Sequence, residues 1–280
     1  MSANGHHEPS GMQRWFNELR FKVRNRLVKK VYVHDGEHGY SFRCESPVEI
    51  KRAQTLLVKE EGTVRWIRTE VKAGQVFYDI GANIGLYTLM AARRVAPGGL
   101  VYAFEPHVAN VNSLLHNISR NDLNPYVKVI SAALNDSEGF FDFNYAAWVP
   151  GSSMSQLNDT RDDLQREFRP VFSEYKYATT VDRLIETGAI HPADHVKLDV
   201  DGNELLILRG MAKFLQGRKR PKTVQAEINP RHKEALYGFM EEHGYVLSER
   251  HDTMAGKQKI ASGRDKESIS YNCIFRPRSQ

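Results

Sequence analysis

Asp79, Gly81, Asn83 and Gly85 fall within the seven residues DIGANIG, and Glu105 follows twenty residues after the last glycine. An acid at the end of an apolar run, followed by spaced glycines and a helix, is the pattern that opens a nucleotide site in a doubly wound α/β fold. The dinucleotide version needs a glycine at its middle position so that backbone can approach a pyrophosphate at a helix N-terminus. Here that position is Asn83, whose side chain would crowd a pyrophosphate. A ligand that joins a nucleoside to an amino acid without phosphate tolerates the side chain. Asp79 agrees, because an acid at a strand tip repels phosphate but suits an ammonium and, across a short gap, a sulfonium. These residues therefore point away from NAD and towards S-adenosylmethionine. Glu105, at the end of the apolar run in YAFEP, is placed to accept hydrogen bonds from ribose hydroxyls.

A sulfonium donor implies in-line displacement, for which the protein must align the nucleophile with the methyl group. A hydroxyl acceptor attacks well only if its proton leaves, so a base or a metal is expected. Asp199 ends the run VKLDV, and Asp201 and Glu204 follow it; Glu227 ends another, QAEINP, and is followed by Asn229 and His232. Carboxylates at two neighbouring strand tips could take a proton or hold Mg²⁺ through oxygen. The expected catalytic set is thus Asp199, Glu227 and His232, with Asp199 and Glu227 as candidate metal ligands. Each carboxylate has a structural alternative, hydrogen bonding to the free N–H groups of the next helix. Glu204 reads as a first-turn acid that favours the helix dipole. His195 and His191 precede a strand, at the wrong edge, and His107, beside Glu105, could touch the cofactor but reads rather as a surface residue.

Positioning these groups requires strands and helices in alternation, the signature of a parallel sheet. The runs VFYDI, LVYAFEP, VKVISAAL, HVKLDV and TVQAEI read as strands, and the segments between most of them carry apolar residues at helical spacing. GFFDFNY reads as an added antiparallel strand, and YVLSE with ISYNCIFRP as a closing pair around a mobile polar loop, residues 250–268. Residues 48–72 read as helical, and VYVHDGEHGYSFRCES as a hairpin. Residues 146–176 find no place in the sheet; they are expected to cover the acceptor, with Trp148, Phe168, Phe172 and Tyr175 as stacking surfaces.

The chain has 280 residues, 41% of them hydrophobic, enough for one large domain with an extension. No apolar run approaches the ~20 residues that span a bilayer, and no signal peptide opens it. Two cysteines, Cys44 and Cys273, give neither a metal spacing nor a disulfide framework, so a reducing cytoplasm is expected. The net charge of +5 invites a nucleic-acid partner. Yet the basic run GRKRPK falls at the sheet's amino edge, and no RNA-binding module is evident, which argues against one. Residues 14–30 hold seven Lys or Arg against one Glu, interleaved with Trp15, Phe16, Leu19 and Val23. They read as a basic amphipathic helix that could lie on an anionic membrane or a partner, or pack on its own domain. Residues 1–11 read as a disordered polar tip.

The blocks VFYDIGANIGLYTLMAARRVAPGGLVYAFEP, VISAALND, TTVDRL, HVKLDVDGNELLILRGM and QAEINP, in that order, resemble the FkbM family of S-adenosylmethionine-dependent methyltransferases over residues 58–277. The resemblance implies a class I Rossmann-like methyltransferase fold: a mostly parallel seven-stranded sheet with an antiparallel C-terminal pair, carried by residues 58–280 after a helical and hairpin extension at 1–57. It implies methylation of hydroxyls on sugars, polyketides and similar small molecules. Asp79, Gly81, Asn83 and Gly85 would hold the methionine end, Glu105 the ribose, and Ala132 or Ala133 would border the adenine. An RNA or protein methyltransferase, and a protein that binds the cofactor without catalysis, are the alternatives. The segment 145–177 is longer and more aromatic than the family core needs.

Overall fold

The computed structural model describes residues 11–36, 38–161 and 166–278, so most of the polar tip lies outside it. Helix α1 (Gly11–Leu27) leads into a hairpin of β1 (Lys29–Asp35) and β2 (His38–Cys44). Three short helices follow, α2 (Pro47–Gln54), α3 (Leu56–Lys59) and α4 (Glu61–Glu70). The first starts at a reciprocal cap in which Ser46 and Glu49 each bind the other's backbone N–H, with Pro47 at the first helical position.

The alternating part runs β3 (Val76–Ile80), α5 (Leu86–Val95), β4 (Leu100–Phe104), α6 (Val108–Arg120) and β5 (Val127–Ile130). After an excursion through β6 (Ala133–Leu134), β7 (Gly139–Tyr145), β8 (Gln156–Leu157) and β9 (Phe172–Thr179), it resumes with α7 (Val181–Glu186) and β10 (His195–Leu198). Helices α8 (Glu204–Arg209) and α9 (Ala212–Gln216) precede β11 (Thr223–Ile228), then α10 (Lys233–Glu242), β12 (Tyr245–Asp252), α11 (Met254–Ala261) and β13 (Tyr271–Pro277). The seven-stranded sheet has the order β12-β13-β11-β10-β3-β4-β5, with β13 antiparallel to both its neighbours and the other pairings parallel. This is the Rossmann-like methyltransferase architecture the sequence implies.

Strand pleating divides the core in two. Phe77, Val101 and Ala103 face one cluster, with α5 and the hairpin's Tyr40 and Phe42, while Tyr78, Ile80, Tyr102 and Phe104 face the other, with α8 and α10. The hairpin is tied down further where Asn121 and Asn117 accept the Ser41 and Arg43 amides, each at 2.9 Å. Part of the N-terminal extension thus belongs to the main core. Helix α1 does not: Trp15, Phe16, Leu19 and Val23 are all exposed. Among the described residues no helix is long and apolar enough to cross a membrane.

Two sequence expectations are corrected. GFFDFNY forms β7, but in a separate four-stranded sheet ordered β6-β9-β7-β8 and not in the main one. Residues 250–268 are not simply a loop: β12 extends to Asp252, and α11 begins where the Thr253 hydroxyl accepts the Gly256 amide at 3.1 Å. Its sequence, MAGKQKIA, puts its apolar residues at the two ends around Gly-Lys-Gln-Lys, too short a run to betray a helical stripe.

Candidate functional site

The carboxyl ends of β3, β4, β10 and β11 converge, as open α/β sheets place their ligands. Gly81 takes φ +82°, and a Cβ there would overlap the carbonyl oxygen of Asp199, so glycine lets the β3 and β10 tips touch. Asn83, at φ +50°, turns its backbone N–H onto Glu105 Oε2 at 2.7 Å; Glu105 Oε1 accepts the His107 N–H at 2.9 Å. Glu105 is 5% exposed, and burial pushes its carboxyl up to about 7 against the pull of those two N–H groups.

Three cavities meet at Gly81. One is apolar, lined by Phe104, Ala132, Leu134 and Ile207. The second holds Glu105, His107 and Asn110. The third, about 730 Å³, is lined by charged groups that include Asp199 and Glu227, and it shares Asn83 and Asp199 with the second. Apolar slot, buried acid and charged chamber follow in the order an adenine, a ribose and an amino-acid end would need, so the residues present fit S-adenosylmethionine.

A strap crosses this cleft. Ser152 O accepts Asn83 Nδ2 at 2.9 Å and Asn110 Nδ2 at 3.0 Å on one bank; Met154 N donates to Asp201 Oδ2 at 2.8 Å and Gln156 Nε2 to Asp201 O at 2.9 Å on the other. Asn83, Met154 and Asp201 all hold positive φ without being glycine, a concentration of backbone strain at one site. A cover thus crosses this cleft, polar and made by residues 151–156. Trp148, Phe168, Phe172 and Tyr175 do not line the cavities: Trp148 and Phe172 pack edge-on against each other, and Tyr175 is exposed.

Asp79 is a second correction. It is 1% exposed and lines none of these cavities. Its Oδ2 accepts the Thr88 hydroxyl at 2.6 Å, and its Oδ1 lies 3.3 Å from Lys197 Nζ, which is also 3.4 Å from Asp199 Oδ2. A buried lysine thus ties the two strand-tip acids together, with Asp79 behind the cavity wall. Although burial pushes the Asp199 carboxyl up, the charges of Lys197, Lys59 and Arg52 outweigh it and hold it below the usual carboxylate range. Burial and the carboxylates of Asp199, Glu204 and Asp201 push Glu227 well above that range.

Of the expected site residues, the structure brings together Gly81, Asn83, Glu105, Ala132, Asp199 and Glu227. Gly85 acts as a packing residue, since a Cβ there would meet Leu114 Cδ1 at 2.6 Å. His232 stands apart, exposed ahead of α10 and outside the cavity lining. Glu204 does more than favour a helix dipole: its Oε1 accepts the Val200 and Gly202 amides, each at 3.1 Å. His107 is buried, with Nε2 3.0 Å from Ala147 O. For magnesium, Asp199 and Glu227 share a cavity, but among the described residues no group of three or more His, Cys, Asp or Glu could hold a metal ion.

The sequence pattern of the methyltransferase FkbM domain matches residues 79–247. The hexuronic acid methyltransferase AglP of Haloferax volcanii is 26% identical over 180 residues, 64% of this chain and 67% of that protein. The methyltransferase sdnD of Sordaria araneosa is 26% identical over 153 residues, 48% of this chain and 59% of that one. The crystal structure of a methyltransferase FkbM from Methylobacillus flagellatus KT superposes with a TM-score of 0.49 at 13% identity, covering 95% of this chain and 60% of that one.

Proposed function

The chain belongs to the methyltransferase FkbM family, and from that membership we propose that it moves the methyl group of S-adenosylmethionine to a hydroxyl oxygen of a sugar or another small hydroxylated acceptor. The observation that carries the reading is Asp199: an ionised carboxylate that lines both the cleft beside Glu105 and the large chamber, where an acceptor hydroxyl could give up its proton. Bound S-adenosylmethionine supplies an activated methyl group on a sulfonium. The protein's part is to hold the ribose at Glu105, to shield the cleft with the 151–156 strap, and to take the proton at Asp199. That a relative is named for hexuronic acid favours a sugar acceptor over an RNA or a protein.

Calorimetric titration with S-adenosylhomocysteine should show micromolar binding, and NAD none. Release of S-adenosylhomocysteine is then followed over a panel of hydroxylated acceptors, in EDTA and with Mg²⁺ restored. The ammonium of Lys197 already faces Asp199, so turnover in EDTA is expected; strict dependence on Mg²⁺ would return Asp199 and Glu227 to a metal role. Cofactor binding without turnover on any acceptor would remove the hydroxyl-transfer reading.

The Glu105 carboxyl gives the cofactor site a pH dependence. A ribose diol donates to the ionised carboxylate, so binding should lower the carboxyl from about 7 and release a proton. Affinity for S-adenosylhomocysteine is therefore constant above that value and falls below it, by at most about tenfold per pH unit. Glu105→Gln should bind more weakly at pH 8 and show a flatter profile between pH 8 and pH 5. A wild-type profile with no slope in this window would detach Glu105 from the ribose.

We also propose that α1 rests on an anionic lipid surface in the cytoplasm. Met12, Trp15, Phe16, Leu19, Val23 and Leu27 recur at helical spacing along one stripe, the least exposed being Leu19 at 41%, and Arg20, Lys22, Lys29 and Lys30 accompany it. Exposed aromatics with flanking basic residues suit the headgroup layer. Both cysteines are free and buried, which suits a reducing compartment. Sedimentation with phosphatidylglycerol-containing vesicles should pellet the wild type, while Trp15→Glu with Leu19→Glu stays in solution. Equal behaviour of the two proteins would end the proposal.

A further inference from the structure

We infer that the acceptor carries an anionic oxyacid group, a carboxylate or a phosphate, and that Arg231, Lys259 and Arg264 bind it. The inference rests on the methyl-transfer reading above. The 730 Å³ chamber has two kinds of wall. Gly81, Asn83, Ser153, Met154, Asp199 and Asp201 are shared with the cleft that holds Glu105, and so belong to the cofactor end. The remaining wall comes mainly from α3, the turn after β11, and α11 with the segment that follows it. Its cations are Arg52, Lys59, Arg166, Arg231, Lys259 and Arg264, the last three from the turn after β11, from α11 and from the segment that follows it.

The other charges around the chamber have partners. Lys59 Nζ lies 2.8 Å from Glu60 Oε1, Arg52 Nε donates to Gly151 O at 2.6 Å, Asp199 faces Lys197, and Asp201 accepts from Met154. Burial and its acidic neighbours push the Glu227 carboxyl up, away from its charged form. Among the described residues, Arg231, Lys259 and Arg264 enter no ion pair. In open water that costs little. An acceptor filling the chamber would displace that water, and a neutral one would leave three cations without compensation. An anionic group on the acceptor supplies it and also orients the molecule, leaving a hydroxyl free to face Asp199. A wholly neutral polyketide fits this wall poorly.

The test uses methyl glucuronoside, glucose 1-phosphate and methyl glucoside as probes, with S-adenosylhomocysteine bound for calorimetry and S-adenosylmethionine for turnover. Wild type should bind one or both charged probes at least about tenfold more tightly than the glucoside. R231Q/K259Q/R264Q should lose that preference through a KM raised roughly 10–100-fold with kcat nearly kept, since these residues hold ground state and transition state alike. Its affinity for S-adenosylhomocysteine should not change. The single variants should give smaller losses in the same direction. The glucuronoside and phosphate arms decide which oxyacid is preferred. Equal binding of charged and neutral probes by the wild type, or a preference that survives in the triple variant, overturns the inference whether or not any probe is methylated. Charge-selective binding without methylation supports it and counts instead against hydroxyl transfer by this site.

Discussion

Asparagine at Asp199 is expected to lower kcat by roughly 10²–10⁴-fold while S-adenosylhomocysteine still binds within a few fold. The side chain is 26% exposed at the end of β10, and its backbone N–H is held by Ile80 O at 3.1 Å, so the amide fits the same space without moving the strand tip. What it removes is the capacity to accept a proton. Because Lys197, Lys59 and Arg52 hold the carboxyl below the usual range, the base is ionised at neutral pH and stays so on mild acidification. Glu227→Gln makes the contrast. Burial and the acids around it push the Glu227 carboxyl up, towards the protonated form that glutamine resembles, so less than about tenfold should be lost. The opposite shifts of two acids in one chamber are thus read as a ratio of two mutant rates. A loss under tenfold at Asp199, with cofactor binding intact, would remove it as the base. A protein that only binds the cofactor would show no wild-type turnover to lose.

The glycine loop and the strand-tip acids were legible because each depends on local chain. DIGANIG sets its own turn, and an apolar run ending in an acid places that acid at an edge. Asp79 was legible as a tip acid but not as a buried one, because its fate depends on which strand lies beside β3. That strand is β10, in parallel register with Lys197 opposite Asp79, a pairing across more than a hundred residues. The one available signal was a lysine inside the buried run HVKLDV, two residues before Asp199 and so on the same face of the strand. The strap escaped for a different reason. It works largely through backbone amides and carbonyls at 151–156, which any sequence supplies, with one side-chain amide from Gln156, while the aromatic residues nearby drew attention and then packed on one another. Helix α11 escaped because eight residues with their apolar members at the two ends are too short to show a period, yet Thr253, Gly256 and Lys259 line the chamber.

Lys197→Met should destabilise the fold by about 3–5 kcal/mol, the cost of stripping one partner from a buried ion pair. Lys197 and Asp79 are each 1% exposed, and apart from the ammonium at 3.3 Å the Asp79 carboxylate has, among the described residues, only the Thr88 hydroxyl. Methionine keeps the volume of the side chain and loses its charge, so the loss reports electrostatics more than packing. If this is the cause, Asp79→Asn should repair it: the double variant, with neither charge, should lie closer to wild type than the single one does. Urea midpoints at constant m-value would give all three free energies. The same substitution also strips Asp199 of its nearest cation, so its carboxyl should rise and the activity profile should lose its acidic side. Stability and base strength then change together in Lys197→Met, whereas Asp199→Asn should impair turnover with little loss of stability. A loss below 1 kcal/mol in Lys197→Met would mean that water reaches the pair, and the coupling between the buried acid and the exposed one would fail with it.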